Sequence, residues 1–289
     1  MNAVVVFNKP EGFTSQGAVT KVKKIFKAKK AGHAGALDPM ATGLLLVCLD
    51  EATKITPFLM ELDKEYLFKA RFGISTDTYD AQGKVTKVVE NFEIDRVKLE
   101  EIIKKYTGKI AQLPPMYSAV KVEGTPLYKL ARKGIEIERK PKEVIIHSIK
   151  IEEFSPPYVI FRVLCSKGTY VRTLCHDIGE ELKVGAHIVE LVRTKIGKFI
   201  IEDSATLEDL KGKFSDKAVL SIDKALYFLP SLRMPDSLIL KFLNGNSVKI
   251  PSGIVPSGWI KVKEKTGKML GIGFSNGFII KPERIIKEG

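Results

Sequence analysis

The sequence predicts an α+β protein in which strands and helices alternate, followed by a smaller β region at the carboxyl end. Two observations predict this class. Over the first 228 residues, apolar runs of strand length alternate with stretches of helical periodicity. From Leu229 onward the chain has short alternating runs separated by turn residues, which is typical of a small β domain. We therefore expect two domains, at residues 1–228 and 229–289.

The individual elements follow from local patterns. Residues 3–7 and 44–49 are nearly all apolar, as in strands buried on both faces. Residues 64–72 alternate between apolar and charged side chains, as in a strand with one buried face. The remaining predictions for the first 113 residues are a helix from Thr14 or Ser15 to about Lys30, a short helix at about 50–60, a strand at 85–89 and a helix at 95–106.

The second half of the first domain is read in the same way. The patterns predict strands at about 143–153 and 158–165, a helix capped by Thr169, strands within 186–200, and helices at 206–211 and 221–227. In the C-terminal region they predict strands at 247–250, 259–262, 269–274 and 278–281.

Charge points to a polyanionic partner. The chain has 47 Lys and Arg against 34 Asp and Glu, a net charge of +13, which suits phosphate binding with counterion release. An anionic membrane surface is disfavoured, because the sequence has no basic amphipathic terminal helix and no apolar run of membrane-spanning length. The amino terminus lacks the pattern of a signal peptide, so we expect a cytoplasmic protein.

The sequence predicts no cofactor and no metal. Phosphate-binding GxxxxGK[ST] and dinucleotide-binding GxGxxG motifs are both missing. Cys48, Cys165 and Cys175 are far apart in apolar surroundings, without the spacing of a zinc site, and are expected to be buried free thiols.

Residues 32–43 hold a single acidic side chain, Asp38, among glycines and a proline. Six lysines precede this segment: Lys21, Lys23, Lys24, Lys27, Lys29 and Lys30. A lone carboxylate beside so much positive charge indicates a catalytic group where a polyanion docks. A helix cap at Asp38, with Pro39 in the first helical position, explains the same residues without chemistry. The segment alone leaves both interpretations open.

Residues 114–142 differ in character from their surroundings. They begin with Pro114-Pro115, and residues 121–142 carry seven basic side chains against three acidic ones. Tyr117 and Tyr128 lie among them. Basic groups interleaved with aromatic rings suit backbone contact and base stacking on RNA, although a solvated hairpin and helix is the alternative.

Arg172 and Tyr66 are less specific signals. Arg172 falls in the first turn of its predicted helix, where the helix dipole disfavours a cation, so a partly buried Asp is the expected partner. An exposed Arg tolerated at small cost is the alternative. Tyr66 lies at the edge of a core-facing row, where an ordinary packed aromatic is also expected.

Several motifs resemble one family. Residues 9–15 with 32–46, the segment 114–121 (PPMYSAVK) and residues 165–178 resemble the signature motifs of TruB-type tRNA pseudouridine synthases, in the family's order. The resemblance covers residues 3 to about 230, and the last sixty residues are similar to the small β-barrel RNA-binding PUA domain. It implies a mixed, mostly antiparallel sheet flanked by helices.

The resemblance also implies a function and a site. The family isomerises uridine 55 in the T-arm of tRNA to pseudouridine, without a cofactor. We expect tRNA as the partner, no obligatory protein partner and a monomer, although the sequence leaves the oligomeric state open. Asp38 matches the catalytic aspartate and Arg172 its ion-pair partner, while Tyr66 matches the tyrosine that stacks on the target base. Tyr170 and Leu191 match pocket positions. The implied RNA contacts are His33, Lys9, Lys121, Tyr117, Lys129 and Arg132.

The chemistry fits one carboxylate. Isomerisation breaks the C1′–N1 bond, turns the uracil and forms a C1′–C5 bond, so Asp38 could attack C1′, stabilise charge there or take the 2′ proton. Tyr66 is expected to be a stacking platform, because a pKa near ~10 makes it a poor base for the C5 proton. The alternative functions are a guide-RNA-dependent enzyme of a ribonucleoprotein and a non-catalytic tRNA-binding or tRNA-folding module.

Overall fold

A computed structural model describes residues 1–118, 120–122, 124–212, 216–251 and 253–287; the side chain of Lys121 lies outside what it describes. The strands are β1 Ala3–Lys9, β2 Ala31–His33, β3 Thr42–Leu49, β4 Lys64–Phe72, β5 Ile74–Thr76, β6 Val85–Val88, β7 Gly108–Gln112, β8 Lys121–Val122, β9 Thr125–Pro126, β10 Lys142–Ser155, β11 Tyr158–Cys165, β12 Ala186–Ile196, β13 Phe199–Ile200, β14 Val219–Ser221, β15 Ser231–Arg233, β16 Val248–Lys249, β17 Gly258–Lys263, β18 Met269–Ser275 and β19 Ile279–Ile285.

The helices are α1 Ser15–Ile25, α2 Thr56–Met60, α3 Arg96–Lys105, α4 Leu127–Ala131, α5 Val171–Glu181, α6 Leu207–Lys211, α7 Ile222–Ala225 and α8 Asp236–Leu243, with 3₁₀ helices at Asp50–Ile55 and Ile201–Asp203. No helix in the described part of the chain is long and apolar enough to cross a membrane.

A ten-stranded sheet forms the larger part of the molecule. Its strand order is β14-β1-β3-β12-β4-β11-β10-β7, with β13 paired to β12 and β2 paired to β3. Every pairing is antiparallel except that between β3 and β12. The predicted class, a mixed and mostly antiparallel sheet flanked by helices, is confirmed.

Burial explains the two kinds of strand pattern. β1 and β3 are covered on both faces, on one by α1 and α6 and on the other by the residues after β3 and by α7. Their side chains are therefore apolar over residues 3–7 and 44–49. β4 and β11 bury alternate residues against α3 and α5. Their other face carries the partly exposed Lys69 and Arg71 of β4 and Arg162 of β11, which contributes to the alternation seen in β4.

The first helix is shorter than predicted. The Oγ1 of Thr14 caps α1 by accepting from the N–H of Gly17 at 3.0 Å, as expected. The helix ends at Ile25 rather than near Lys30, because Lys27 adopts a left-handed φ of 49° and the backbone N–H groups of Lys29 and Lys30 donate to the carboxylate of Asp50. The following residues, 31–33, form the unpredicted strand β2 along β3.

The carboxyl end forms a second sheet of five strands, in the order β15-β17-β18-β19-β16. The four strand predictions in this region are confirmed by β16 to β19, whereas the short helix α8 was not predicted. Two lysines of β17, Lys261 and Lys263, contact the carboxylate of Asp223 on α7 at 3.0 and 2.7 Å. Trp259 packs edge-on against Phe58, so the second sheet is joined to the first by charged and aromatic contacts.

Candidate active site

Asp38 lies in the loop that joins β2 to β3, and two buried side chains fix the backbone of this loop. The Ser15 hydroxyl donates to the carbonyl of Leu37 at 2.9 Å and accepts from its N–H at 2.7 Å. The guanidinium of Arg193, on β12, donates to the carbonyls of Gly35 and Ala36 at 3.1 and 3.2 Å. Because these contacts hold the backbone of the three residues before Asp38, the Asp38 side chain leaves the loop in a defined direction.

Lys9 completes this support from β1. Its ammonium donates to the carbonyls of Pro10, Phe13 and Pro39 at 2.9, 2.8 and 3.3 Å, and the residue has no exposed surface. Burial, with smaller effects of neighbouring charges, lowers the pKa of Lys9 to about 8. A fully buried ammonium cannot reach RNA. The predicted RNA contact at Lys9 is therefore wrong, and the side chain instead holds the loop.

Arg172 binds the Asp38 carboxylate side-on. Its Nε donates to Oδ2 at 2.8 Å and its Nη2 to Oδ1 at 3.0 Å. The same guanidinium donates to the carbonyls of Thr78 at 2.9 Å and Tyr117 at 2.8 Å, and it lies 3.5 Å from the carboxylate of Asp80. The Arg172 side chain is only 5% exposed against 36% for Asp38, so a buried cation holds an accessible carboxylate.

The predicted cap of the Arg172 helix is different in detail. Tyr170, not Thr169, is the residue that precedes the first turn of α5. The Thr169 hydroxyl donates to the carbonyl of Ser166 at 3.0 Å instead. The Tyr170 side chain makes no capping hydrogen bond, so the turn that carries Arg172 is held by other contacts.

A cavity of about 720 Å³ opens at Asp38. It brings together six of the predicted site residues, namely His33, Asp38, Tyr66, Tyr170, Arg172 and Leu191. Ser118, Lys64, Lys167 and Arg193 line it too, and these were not predicted. The cavity is large enough for a nucleoside that has left its stack.

The aromatic groups in the cavity are poor acid–base catalysts. Tyr66 is 9% exposed, and burial raises its pKa further above 10. Burial likewise raises the pKa of Tyr170. Burial, and next the charge of Arg193, lowers the pKa of His33, so its imidazole is neutral at neutral pH. These rings can stack on a base, which is the role the sequence predicted for Tyr66.

Residues 114–142 are the insertion that the family resemblance implies grips RNA. The backbone carbonyl of Tyr117 accepts from Arg172, and Ser118 and Lys142 line the cavity. Lys129 is exposed at the end of α4, and the guanidinium of Arg132 lies 5.6 Å from the ring centre of Tyr128. Lys129 and Arg132 lie outside the cavity lining. The side chain of Lys121 lies outside the described residues.

Three buried polar residues escaped the sequence reasoning: Arg193, Lys64 and Gln112. The Lys64 ammonium donates to the carbonyls of Met60 and Leu62, and burial, followed by the charge of Arg193, lowers its pKa to about 8. No local pattern marked the two cations, since Lys64 lies between Asp63 and Glu65, and Arg193 between Val192 and Thr194. A lysine or arginine is buried only when acceptors such as backbone carbonyls satisfy its N–H groups.

Metal chemistry finds no support in the ranges that the structure describes, since no three His, Cys, Asp or Glu side chains there are grouped as ligands. The three cysteines are free and buried, as predicted. Burial raises the pKa of Cys48 to about 11 and that of Cys165 to about 12, so these thiols are not reactive.

Fold and site together define the class, which is that of the pseudouridine synthase fold. The structure matches the crystal structure of a Cbf5-Nop10-Gar1 complex with a TM-score of 0.76 and 27% identity, over 99% of this chain and 85% of that one. It matches the archaeal box H/ACA sRNP Nop10-Cbf5 complex with a TM-score of 0.74 and 25% identity, over 99% and 86%.

The sequence identifies the family within that class. Residues 23–171 match the TruB family pseudouridylate synthase N-terminal domain, residues 172–227 the tRNA pseudouridylate synthase B C-terminal domain, and residues 230–286 the pseudouridine synthase II TruB C-terminal domain. The chain belongs to the TruB family. A tRNA pseudouridine synthase B from Clostridium kluyveri is 44% identical over 97% of this chain and 98% of its own length. One from Saccharophagus degradans is 39% identical over 100% and 96%.

Proposed function

We propose that this protein isomerises uridine 55 in the T-arm of tRNA to pseudouridine, with Asp38 as the group that acts on the ribose. The observation that carries the proposal is the pair of Asp38 and Arg172 at a cavity large enough to admit an extruded nucleoside. The relatives named tRNA pseudouridine synthase B support the choice of tRNA.

The reaction needs no electron or group donor. The C1′–N1 bond breaks, the uracil turns, C1′ bonds to C5, and the C5 hydrogen leaves as a proton while N1 gains one. Whether the carboxylate attacks C1′ or takes the 2′ proton, it must be held beside the ribose. The two hydrogen bonds from Arg172 do this, and they stabilise the negative charge of Asp38.

The target base must leave its stack to reach Asp38. The ring of Tyr66 supports the extruded uracil, and the neutral imidazole of His33 is suited to an uncharged contact with the RNA. Burial raises the pKa of Tyr66, which disfavours its hydroxyl as the acceptor of the C5 proton and favours the platform role. Tyr66 is therefore the aromatic platform, and Asp38 is the single reacting carboxylate.

The positive surface holds phosphates around this site. Exposed lysines of α1 and of the segment after it precede the Asp38 loop in the sequence, and residues 121–142 carry further exposed cations. These contacts position the T-arm without reading its sequence. Since the insertion is present, we expect activity on bare tRNA as a monomer, although the similar solved structures are parts of ribonucleoprotein complexes.

Tritium release from C5-tritiated uridine in an unmodified tRNA transcript tests the proposal. The wild-type protein should release one tritium per tRNA, whereas Asp38→Asn should be at least ~10⁴-fold slower with nearly unchanged tRNA affinity. Asp95→Asn is the matched control, because Asp95 caps α3 away from the cavity and Asn caps equally well.

Two results would overturn the proposal. Tight tRNA binding without release by the wild-type protein would support the guide-dependent or binding-only alternatives. Comparable release by Asp38→Asn would remove Asp38 from the chemistry.

A further inference from the structure

Gln112 joins the base of the insertion to the helix that carries Arg172. It is the last residue of β7, where its register partner Lys142 begins β10, so the two residues close the base of the 114–142 segment. Its side chain crosses to Tyr170, 58 residues away in the sequence. Only 1% of Gln112 is exposed.

The carboxamide of Gln112 binds both backbone groups of Tyr170. The Tyr170 N–H donates to Oε1 at 3.0 Å, and Nε2 donates to the Tyr170 carbonyl at 3.3 Å. Only this orientation of the amide gives both atoms a suitable partner. The same carbonyl accepts the first helical hydrogen bond of α5, from the N–H of Leu174 at 3.1 Å.

This contact replaces an ordinary helix cap. Tyr170 makes no side-chain cap of its own, and the first turn contains no acidic residue, although it must carry the cation of Arg172. Gln112 fixes the peptide that starts the turn, two residues before Arg172. It therefore fixes both the Tyr170 ring in the cavity wall and the direction from which Arg172 reaches Asp38.

We infer that Gln112 is a positioning residue, which sets Tyr170 and Arg172 for the isomerisation and ties them to the base of the RNA-gripping insertion. The inference rests on the proposed function. Gln112 touches no reacting atom, so its effect passes through the backbone of Tyr170. Losing it should let the Asp38–Arg172 pair shift while tRNA contacts elsewhere remain.

Single-turnover tritium release with saturating tRNA separates positioning from packing. Gln112→Met keeps the volume and removes both hydrogen bonds; its rate constant should fall roughly 10- to 100-fold, with tRNA affinity within about threefold of wild type. Leu99→Ala is the matched control. It opens a cavity in the same core, at a residue of α3 with no exposed surface, and leaves the amide contact intact. Assayed well below its melting temperature, it should keep the wild-type rate constant.

Gln112→Glu supplies a second readout. A protonated carboxyl can donate to the Tyr170 carbonyl while accepting from its N–H, as the amide does, whereas a carboxylate cannot donate. The contacting elements carry the cations Lys142, which is the register partner of Gln112, and Arg172, which lies two residues after Tyr170. The ratio of the variant's rate constant to the wild-type value should rise at least about fivefold as the pH falls from 8.5 to 5.5.

The outcomes are distinguishable. A wild-type protein that releases no tritium rejects the proposed function. A wild-type protein that is active beside a Gln112→Met variant within threefold of it rejects the positioning role alone. The positioning role is also rejected if Leu99→Ala lowers the rate constant as much as Gln112→Met does. It is rejected likewise if the rate constant of Gln112→Glu, relative to wild type, does not rise at low pH.

Discussion

Arg172 and Asp38 form a two-hydrogen-bond pair whose members differ in burial. The guanidinium is 5% exposed and has acceptors beyond Asp38, in the carbonyls of Thr78 and Tyr117, whereas the carboxylate is 36% exposed. The arginine is therefore part of the interior, and the aspartate is the member available to a substrate. Stability and activity should consequently depend on the two residues in different ways.

The first prediction concerns stability. Arg172→Met should lower the free energy of unfolding by about 3–5 kcal/mol, because it leaves buried carbonyls and Asp80 without their cation. Asp38→Asn should cost about 1 kcal/mol, since Arg172 keeps its other acceptors. Guanidinium unfolding of both variants measures the difference. Equal costs would contradict the asymmetry.

The second prediction concerns Tyr66. If its ring is a platform, Tyr66→Phe should stay within about tenfold of the wild-type rate constant, and Tyr66→Leu should fall by roughly 10- to 100-fold or more, because stacking is worth about 1–3 kcal/mol per base. Single-turnover tritium release measures both. A Tyr66→Phe variant as slow as Tyr66→Leu would give the hydroxyl an essential role.

The third prediction concerns the cations of the insertion. Replacing Lys129 or Arg132 with Ala should weaken tRNA binding and reduce the slope of log affinity against log salt by about 1 each, with an unchanged rate constant at saturating tRNA. Lys98→Ala, an exposed change on α3, is the control and should leave the slope unchanged. A slope unaffected by either insertion variant would remove these side chains from the phosphate contacts.

Much of the fold is predictable because the burial of each strand determines its pattern of apolar and polar residues. Residues 3–7 of β1 and 44–49 of β3 are apolar because both faces of these strands are covered, and β4 alternates because one face is not. The end of α1 was missed because a left-handed Lys27 has no distinctive signal. The strand β2 that follows is short and partly exposed, and it exists only by pairing with β3.

The candidate site was predictable where a residue was out of place. Asp38 is a single acid after a run of lysines, and Arg172 is a cation at the wrong end of a helix. The RNA contact at Lys9 was implied by the resemblance alone, and only the folded loop provides the three carbonyl acceptors of its ammonium. The contact of Gln112 could not be predicted from the sequence, since it joins the side chain to the backbone of Tyr170, 58 residues away.

The last prediction concerns Asp177, on α5 five residues beyond Arg172. Burial, and next the charge of Glu180, raises the pKa of Asp177 to about 6, against roughly 3.9 in an unfolded chain. Between these values the folded protein holds a proton that the unfolded chain has lost, so the free energy of unfolding falls as the pH rises through this window. The full loss of stability is present above pH 6.

Asp177→Asn removes this loss of stability. At pH 7.5 the variant should be more stable than wild type by on the order of 1–3 kcal/mol, and near pH 4 the difference should disappear. Guanidinium unfolding at both pH values measures this, with the exposed Glu93→Gln as a control whose effect should not change with pH. A wild-type protein that is the more stable at pH 7.5 would show that the ionised carboxylate is stabilised by the fold.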